Sequence, residues 1–286
     1  MITTRAIELS PEGLRRSAAM LRAAMPRAAH MDDDFLAWQY VANPVGPALG
    51  LEAFDGDRLV SHCVVQPLIA RLRGREVRGV MSLNAATLPD YLGRGIYFGL
   101  AEELYATARA SGYAFGVAVT NDKSTQGFVR RCGFSLVRPL EARIGLGPIP
   151  RARREGGVDF EKLWSDKALA WRLSPPHLRY RFERRDGSVR VLAPSGRAGI
   201  EVVLGEVPGA NAPNVAAVAA PPRSWGSPLR LWLGLDQRID WRRSLYRNLP
   251  LFARPSPLNL IFTEFGASTT LDPQRVRWSG LDFDDF

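Results

Sequence analysis

The chain has 286 residues, 46% of them hydrophobic and 23% charged, the composition of a folded globular protein, which excludes disordered and collagen-like classes. A formal net charge of +9 favours a surface that attracts anions, but no helix-turn-helix, zinc-finger or stacked-aromatic pattern accompanies it, so no specific nucleic-acid partner is expected. Cys63 and Cys132, the two cysteines, are too far apart in sequence to suggest a disulfide framework or a cysteine zinc site. No apolar run approaches the roughly 18 residues of a membrane helix. With no signal-peptide core in the first ten residues, the expectation is a cytoplasmic protein without a membrane span.

Ser10-Pro11-Glu12 has the form of a helix start, and Leu14, Ala18, Leu21 and Met25 recur on one face until Pro26. Asp32 to Asp34 suit the start of a second helix, Phe35 to Val41, and Asn43-Pro44 stops it; helix capping is a simpler role for these carboxylates than catalysis. Leu49 to Phe54 and Arg58 to Ala70 read as strands joined by Asp55-Gly56-Asp57, a hairpin turn, and Val77 to Leu88 reads as the next strand. A helix follows in which Ile96, Leu100, Leu104 and Ala108 share a face until Gly112. Ala114 to Thr120 is an apolar strand, Lys123 to Arg131 a short helix and Phe134 to Gly145 a further strand. Strand, helix and strand in this order predict a parallel pair within a mixed sheet, hence a mixed α/β fold.

Residues 147–157 carry prolines, glycines and arginines without apolar periodicity and read as a linker. The chain thus divides into residues 1–146 and 158–286. Leu169-Ala170-Trp171 repeats Leu36-Ala37-Trp38 just before the strands of the second half, which suggests an internal duplication. Strands are expected at Leu178 to Glu183, Val189 to Ala193, Ile200 to Val207, Leu229 to Leu235 and Leu258 to Phe265, with a short helix over Asp240 to Asn248. Gly209 to Ser227, rich in alanine, proline and glycine, reads as a loop.

Chemistry concentrates at Pro89-Asp90-Tyr91-Leu92-Gly93-Arg94-Gly95-Ile96, where a strand ends and a helix begins. Unpaired helix N–H groups there can surround a phosphate, and glycine lets the backbone approach it. Neither the P-loop nor the dinucleotide spacing is present; taken alone, the glycines also fit a plain tight turn. With its flanks, however, the segment resembles the acyl-CoA-binding motif of the GNAT acetyltransferases. Asn121, Ser124, Phe128 and Gly133-Phe134 resemble that family's closing motif in the right order. Trp38, Tyr40 and Asn43-Pro44 resemble the entry of a bacterial subgroup.

The resemblance implies a GNAT fold, with the pyrophosphate of acetyl-CoA or another acyl-CoA on the amides of Leu92, Gly93, Arg94, Gly95, Ile96 and Tyr97. The pantetheine arm would pair with Ala85, Ala86 and Thr87, flanked by Asn121, Ser124 and Phe128. It implies attack by a small-molecule amine without a metal, with Trp38 and Tyr40 near the acceptor and residues 158–286 as a second, degenerate GNAT-like unit shaping the acceptor side. Several positions depart from the pattern. Leu92 stands where the family has arginine or glutamine, and Tyr97 stands where it has a small residue, so a phenol would crowd the phosphates. Asn84 replaces a frequent aspartate, and Phe128, or Val129 if the alignment shifts by one place, replaces the tyrosine that protonates the leaving thiolate. The catalytic acid and base are therefore open, with Asn84 and the Phe286 carboxylate as candidates. His62, beside Cys63 on an apolar strand, reads as a buried structural histidine, while strand alternation leaves Glu52 facing either way. His30 and His177 read as surface or turn residues, and Asp282, Asp284 and Asp285 as a solvated acidic tail.

The leading expectation is an acyltransferase acting on a small-molecule amine. Alternatives are an inactive binding module of the same fold, or an enzyme whose donor is a longer acyl chain on CoA or on a carrier protein; a homodimer is a further option.

Overall fold

The computed structural model describes the chain except residues 26–28, 151–156, 179, 186, 209–228, 251, 253, 255–256, 268 and 284–286. The first helix, α1 (Pro11–Ala24), starts where Ser10 Oγ accepts the Gly13 N–H at 3.2 Å and buries Leu14, Ser17, Ala18 and Leu21. Asp32 Oδ1 takes the Phe35 N–H at 2.9 Å and caps the four-residue α2 (Asp33–Leu36), which widens into a π-helical turn over Ala37–Val41. Both carboxylate and hydroxyl caps satisfy amides that have no helical partner.

The strands β2 (Leu49–Asp55), β3 (Arg58–Leu72) and β4 (Arg75–Thr87) form an antiparallel meander, and the exposed β1 (Ile2–Ala6), which the sequence did not announce, edges it along β2. After α3 (Ile96–Ala110), β5 (Phe115–Thr120) runs parallel to β4, but the two pair only where Gly79–Met81 faces Phe115–Val117. Beyond Met81 they diverge. Then come α4 (Asp122–Arg131), β6 (Ser135–Pro139) and β7 (Glu141–Leu146). The single strand expected over Phe134 to Gly145 is broken at Leu140, whose N–H turns away to Leu258 O at 2.7 Å. Pro139 has no N–H to continue the ladder.

The second half contains β8 (Phe160–Lys162), α5 (Asp166–Arg172), β9 (Arg181–Arg185), β10 (Ser188–Pro194), β11 (Ile200–Pro208), β12 (Leu229–Asp236), β13 (Arg247–Asn248), β14 (Asn259–Glu264) and β15 (Val276–Ser279). The helix expected over Asp240 to Asn248 is instead a 3-10 turn, Trp241–Arg243, leading into β13: Asp240 caps only the Arg242 N–H, and residues 247–248 pair with β7. The loop expected over Gly209 to Ser227 lies outside the described residues.

The strand order is β6-β14-β5-β4-β3-β8-β15-β12-β11-β10-β9, so the halves share one sheet. They also exchange strands. β14 inserts antiparallel between β5 and β6, whereas β7 leaves β6 and pairs with β12. As in the first half, an antiparallel series, β9-β10-β11, meets a parallel strand, β12, that pairs with only part of its neighbour, Ile200–Val203 against Leu229–Trp232. Here the gap is filled: β15 pairs with Gly234–Asp236, Gly280 N–H donates to Leu233 O, and Leu281 N–H donates to Leu204 O.

The shared tripeptide meets across the two halves. Trp38 and Trp171 stack with ring centroids 5.1 Å apart, each indole N–H donating to the other's carbonyl at 2.9 and 2.8 Å. A second contact is an aromatic core built from both halves, where Phe115 stacks on Phe262 at 5.6 Å, and Phe160 packs on Phe262 and Trp278.

Asp282 is not part of a solvated tail. It is 6% exposed, and its carboxylate accepts from the Trp164 indole, the Ser279 N–H and the Ser279 hydroxyl at 3.0, 2.7 and 2.9 Å. Asp284 and Asp285 lie outside the described residues. Asp282→Ala strands these donors at the end of β15 and should lower stability by about 2–4 kcal/mol, measured as the shift of the urea midpoint at constant slope.

Candidate functional site

The separation of β4 from β5 opens a cleft of about 430 Å³, lined by Ala85, Ala86, Thr87, Tyr91, Leu92, Gly93, Gly95, Ile96, Tyr97, Phe98, Lys123 and Ser124. One wall is the last stretch of β4, whose β5-facing edge has no strand beside it past Met81 among the described residues. Opposite lies the glycine turn. Gly93 and Gly95 adopt φ +76° and +72°, and Gly95 caps α3 with backbone alone. The turn therefore delivers the amides of the first turn of a 15-residue helix to the cleft, an arrangement that favours an anion through hydrogen bonds and the helix dipole.

Nine of the twelve residues expected around the donor line this cleft, and Arg94, Asn121 and Phe128 do not. The Arg94 guanidinium donates to Asp90 O at 2.8 Å and lies over the Tyr91 ring at 4.7 Å. Asn121 caps α4, its Oδ1 accepting the Ser124 N–H at 3.0 Å. Phe128 is 2% exposed in a cage of Tyr97, Phe98, Tyr105 and Phe134. Phe98 and Lys123 were missed by the sequence reading, and Tyr91 was read as part of the turn motif without a place at the donor; Lys123 sits one position before the matched Ser124, which was the available signal. The Tyr97 phenol does not occupy the mouth of the turn. Its hydroxyl is buried beside Cys63, Tyr105 and Ser82, and burial holds its pKa well above the usual phenol value. Burial likewise pushes the Cys63 thiol up to about 12, leaving it an inert thiol at neutral pH.

A second group of polar residues lies between α1, the π-helical turn and the sheet. Opposite Cys63, β4 carries two residues, Asn84 and Ala85, a bulge in which Asn84 takes φ +49°. Asparagine tolerates this left-handed backbone, and a bulge redirects its side chain. The Asn84 amide nitrogen donates to Gln39 Oε1 and, at 2.8 Å, to the Tyr40 hydroxyl. Tyr40 OH lies 3.1 Å from His62 Nε2, and His62 Nδ1 lies 2.9 Å from Glu52 Oε1. Ser17 Oγ also donates to Glu52 Oε1 at 2.6 Å, and Arg16 stands 3.9 Å from the other carboxylate oxygen. Glu52, His62 and Tyr40 are completely buried, whereas Asn84 is half-buried beside the exposed Ala85 of the cleft.

Neither Trp38 nor Tyr40 lines the cleft: the first is committed to the Trp171 stack and the second to the chain of buried hydrogen bonds. His30 packs edge-on against Phe35, and His177 pairs with Asp32 at 2.7 Å. Phe286 lies outside the described residues. Among the described residues, no group of three or more His, Cys, Asp or Glu is placed to hold a metal, and no helix is long and apolar enough to cross a membrane.

Comparison with known proteins bears on the fold. No curated protein matches the sequence. The fold is similar to that of a GCN5-related N-acetyltransferase from Anabaena variabilis, with TM-score 0.59 and 9% identity over 91% of this chain and 72% of that one. It is also similar to a GCN5-related N-acetyltransferase from Kribbella flavida, with TM-score 0.54 and 13% identity over 91% of this chain and 71% of that one. At such identities the likeness is one of fold. The family model described as an acetyltransferase (GNAT) domain matches residues 6–137, from β1 to β6, and includes the whole of the cleft. Residues 6–137 are thus similar to the acetyltransferase (GNAT) domain family.

Proposed function

We propose that the protein is an N-acyltransferase that moves an acetyl or other short acyl group from acyl-CoA to the amine of a small molecule by direct attack. The observation that carries this reading is the divergence of β4 from β5 after Met81, directly beside a glycine turn at the N-terminus of α3. A donor with an anionic head and an amide-rich arm suits both walls. The turn from Leu92 to Tyr97 would hold the pyrophosphate, with Lys123 adding charge, and Ala85 to Thr87 would pair with the arm. CoA supplies the activated thioester, and the protein's own groups orient it and stabilise the charge that develops on the carbonyl oxygen through fixed backbone N–H groups.

The residues 158–286 fit a degenerate unit of the same ancestry, as the tripeptide and the partial parallel pairing suggest. Its counterpart of the donor cleft is filled by β15 and residues 280–281, so donor binding is assigned to the first half alone.

The test is binding followed by a product screen. Acetyl-CoA at 100 times its dissociation constant should stabilise the protein by about 2.7 kcal/mol, read as a rise in melting temperature. Acyl transfer to members of an amine library, read by mass spectrometry, then identifies the acceptor. No thermal shift with either CoA or acetyl-CoA would remove the donor assignment.

A further inference from the structure

The buried chain behind Asn84 has a direction. A carboxylate only accepts hydrogen bonds, so with Glu52 at its inner end the contact to His62 places a hydrogen on Nδ1. In a neutral imidazole this leaves Nε2 as an acceptor. Nε2 then receives the Tyr40 O–H, which burial keeps protonated. The Tyr40 oxygen, having given its hydrogen to His62, accepts from Asn84 Nδ2, and the second Nδ2 hydrogen goes to Gln39 Oε1. Both donors of the carboxamide are thereby directed inward. Its oxygen is left without a donor among the described residues.

From this chain we infer that the Asn84 carboxamide oxygen docks the acceptor amine, its polarity set by Glu52, His62 and Tyr40 as positioning residues. The inference rests on the acyl-transfer reading and narrows its substrate to primary or secondary amines that attack uncharged. Such an amine donates one N–H to Asn84 Oδ1 and keeps its lone pair for the thioester. An amide oxygen gains no proton in doing so, which separates docking from base catalysis. Ala85, the residue after Asn84 in the bulge, lines the cleft where the donor arm would end.

The direction of the chain can be measured without turnover. Long-range proton–nitrogen NMR of the labelled protein should find His62 as the Nδ1–H tautomer; an Nε2–H tautomer reverses every step, a doubly protonated ring reverses those beyond His62, and either overturns the inference. Kinetics supply the second arm, with acetyl-CoA and the amine that the library screen returns. Asn84→Ala should raise the amine KM at least tenfold while the acetyl-CoA KM stays within twofold. Glu52→Gln, whose amide NH2 can donate to His62 Nδ1 and so release the polarity, should also raise the amine KM. Because both act on one oxygen, the double variant should be no worse than Asn84→Ala. Independent, multiplying effects, or an unchanged amine KM in folded Asn84→Ala, would overturn the docking role. A screen in which no amine is acylated defeats the acyl-transfer reading itself, whatever the tautomer.

Discussion

Gly95→Val should weaken CoA binding at least about a hundredfold, about 2.8 kcal/mol, while the protein remains folded. Gly95 sits at φ +72° as the N-cap of α3, a conformation that costs an L-residue about 1–2 kcal/mol and is worse for a β-branched side chain. The strain is relieved by rotating the cap out of the left-handed region, which turns the first helical amides away from the cleft. Space is a lesser factor: among the described residues, a Cβ would meet only Arg131 Nη1 within 4 Å, at 3.4 Å. The control is Gly99→Ala, one turn further on, where a Cβ has nothing within 4 Å and the φ is ordinary. It should keep CoA binding and gain about 0.5–1 kcal/mol of stability from helix propensity. Calorimetry on the two variants and the parent decides the matter; retained affinity in Gly95→Val would mean that the turn does not hold the donor.

The glycine turn was legible because its chemistry is local: a strand end, two glycines and a helix start are consecutive in sequence, so no tertiary information is needed to bring the amides together. The same is true of the Ser10 and Asp32 caps. The Glu52–His62 contact was less legible, because Leu49 to Phe54 mixes small and apolar residues on both faces, and alternation alone does not say which side is buried. A signal was present nonetheless. The Asp55-Gly56-Asp57 turn fixes a hairpin in which Glu52 and His62 are direct cross-strand partners, so propagating its register inward, through the bulge at Ala53, pairs an acid with a histidine on an apolar strand. The short strands β8 and β15 carried no such signal. Three or four residues do not establish a period, and these become strands only because β3, β12 and one another supply their hydrogen bonds. Asp282 looked like a tail residue for the same reason, since its donors lie on Trp164, far away in sequence, and at the end of β15.

The destination of β14 lay furthest from sequence reading, and it has the largest consequence for stability. Leu258 to Phe265 reads as a strand from its composition, yet nothing local says that it enters the sheet of the first half. In the structure it pairs with β5 over Asn259–Glu264 on one side and with β6 on the other, and Asn259 also donates to Asp122 and Thr125 of α4 at 2.9 Å. Leu260, Ile261 and Phe262 are each no more than 1% exposed. A fragment ending at residue 157 keeps the complete donor cleft in sequence but loses this strand, so β5 has only three residue pairs with β4, and β6 has no strand partner at all. It also exposes Phe115, which rests on Phe262 and Phe160. Three buried apolar side chains alone represent about 5–9 kcal/mol of transfer free energy, comparable with the whole stability of a typical domain. Residues 1–157 should therefore show no cooperative melting transition and no acetyl-CoA binding, and residues 158–286, deprived of β7 beside β12, should behave likewise. Mixed during refolding, or co-expressed, the two fragments should restore both, because the exchanged strands need proximity and not a continuous chain. A cooperative transition in residues 1–157 alone would show instead that the inserted strand contributes little and that the segment matched by the family model folds by itself.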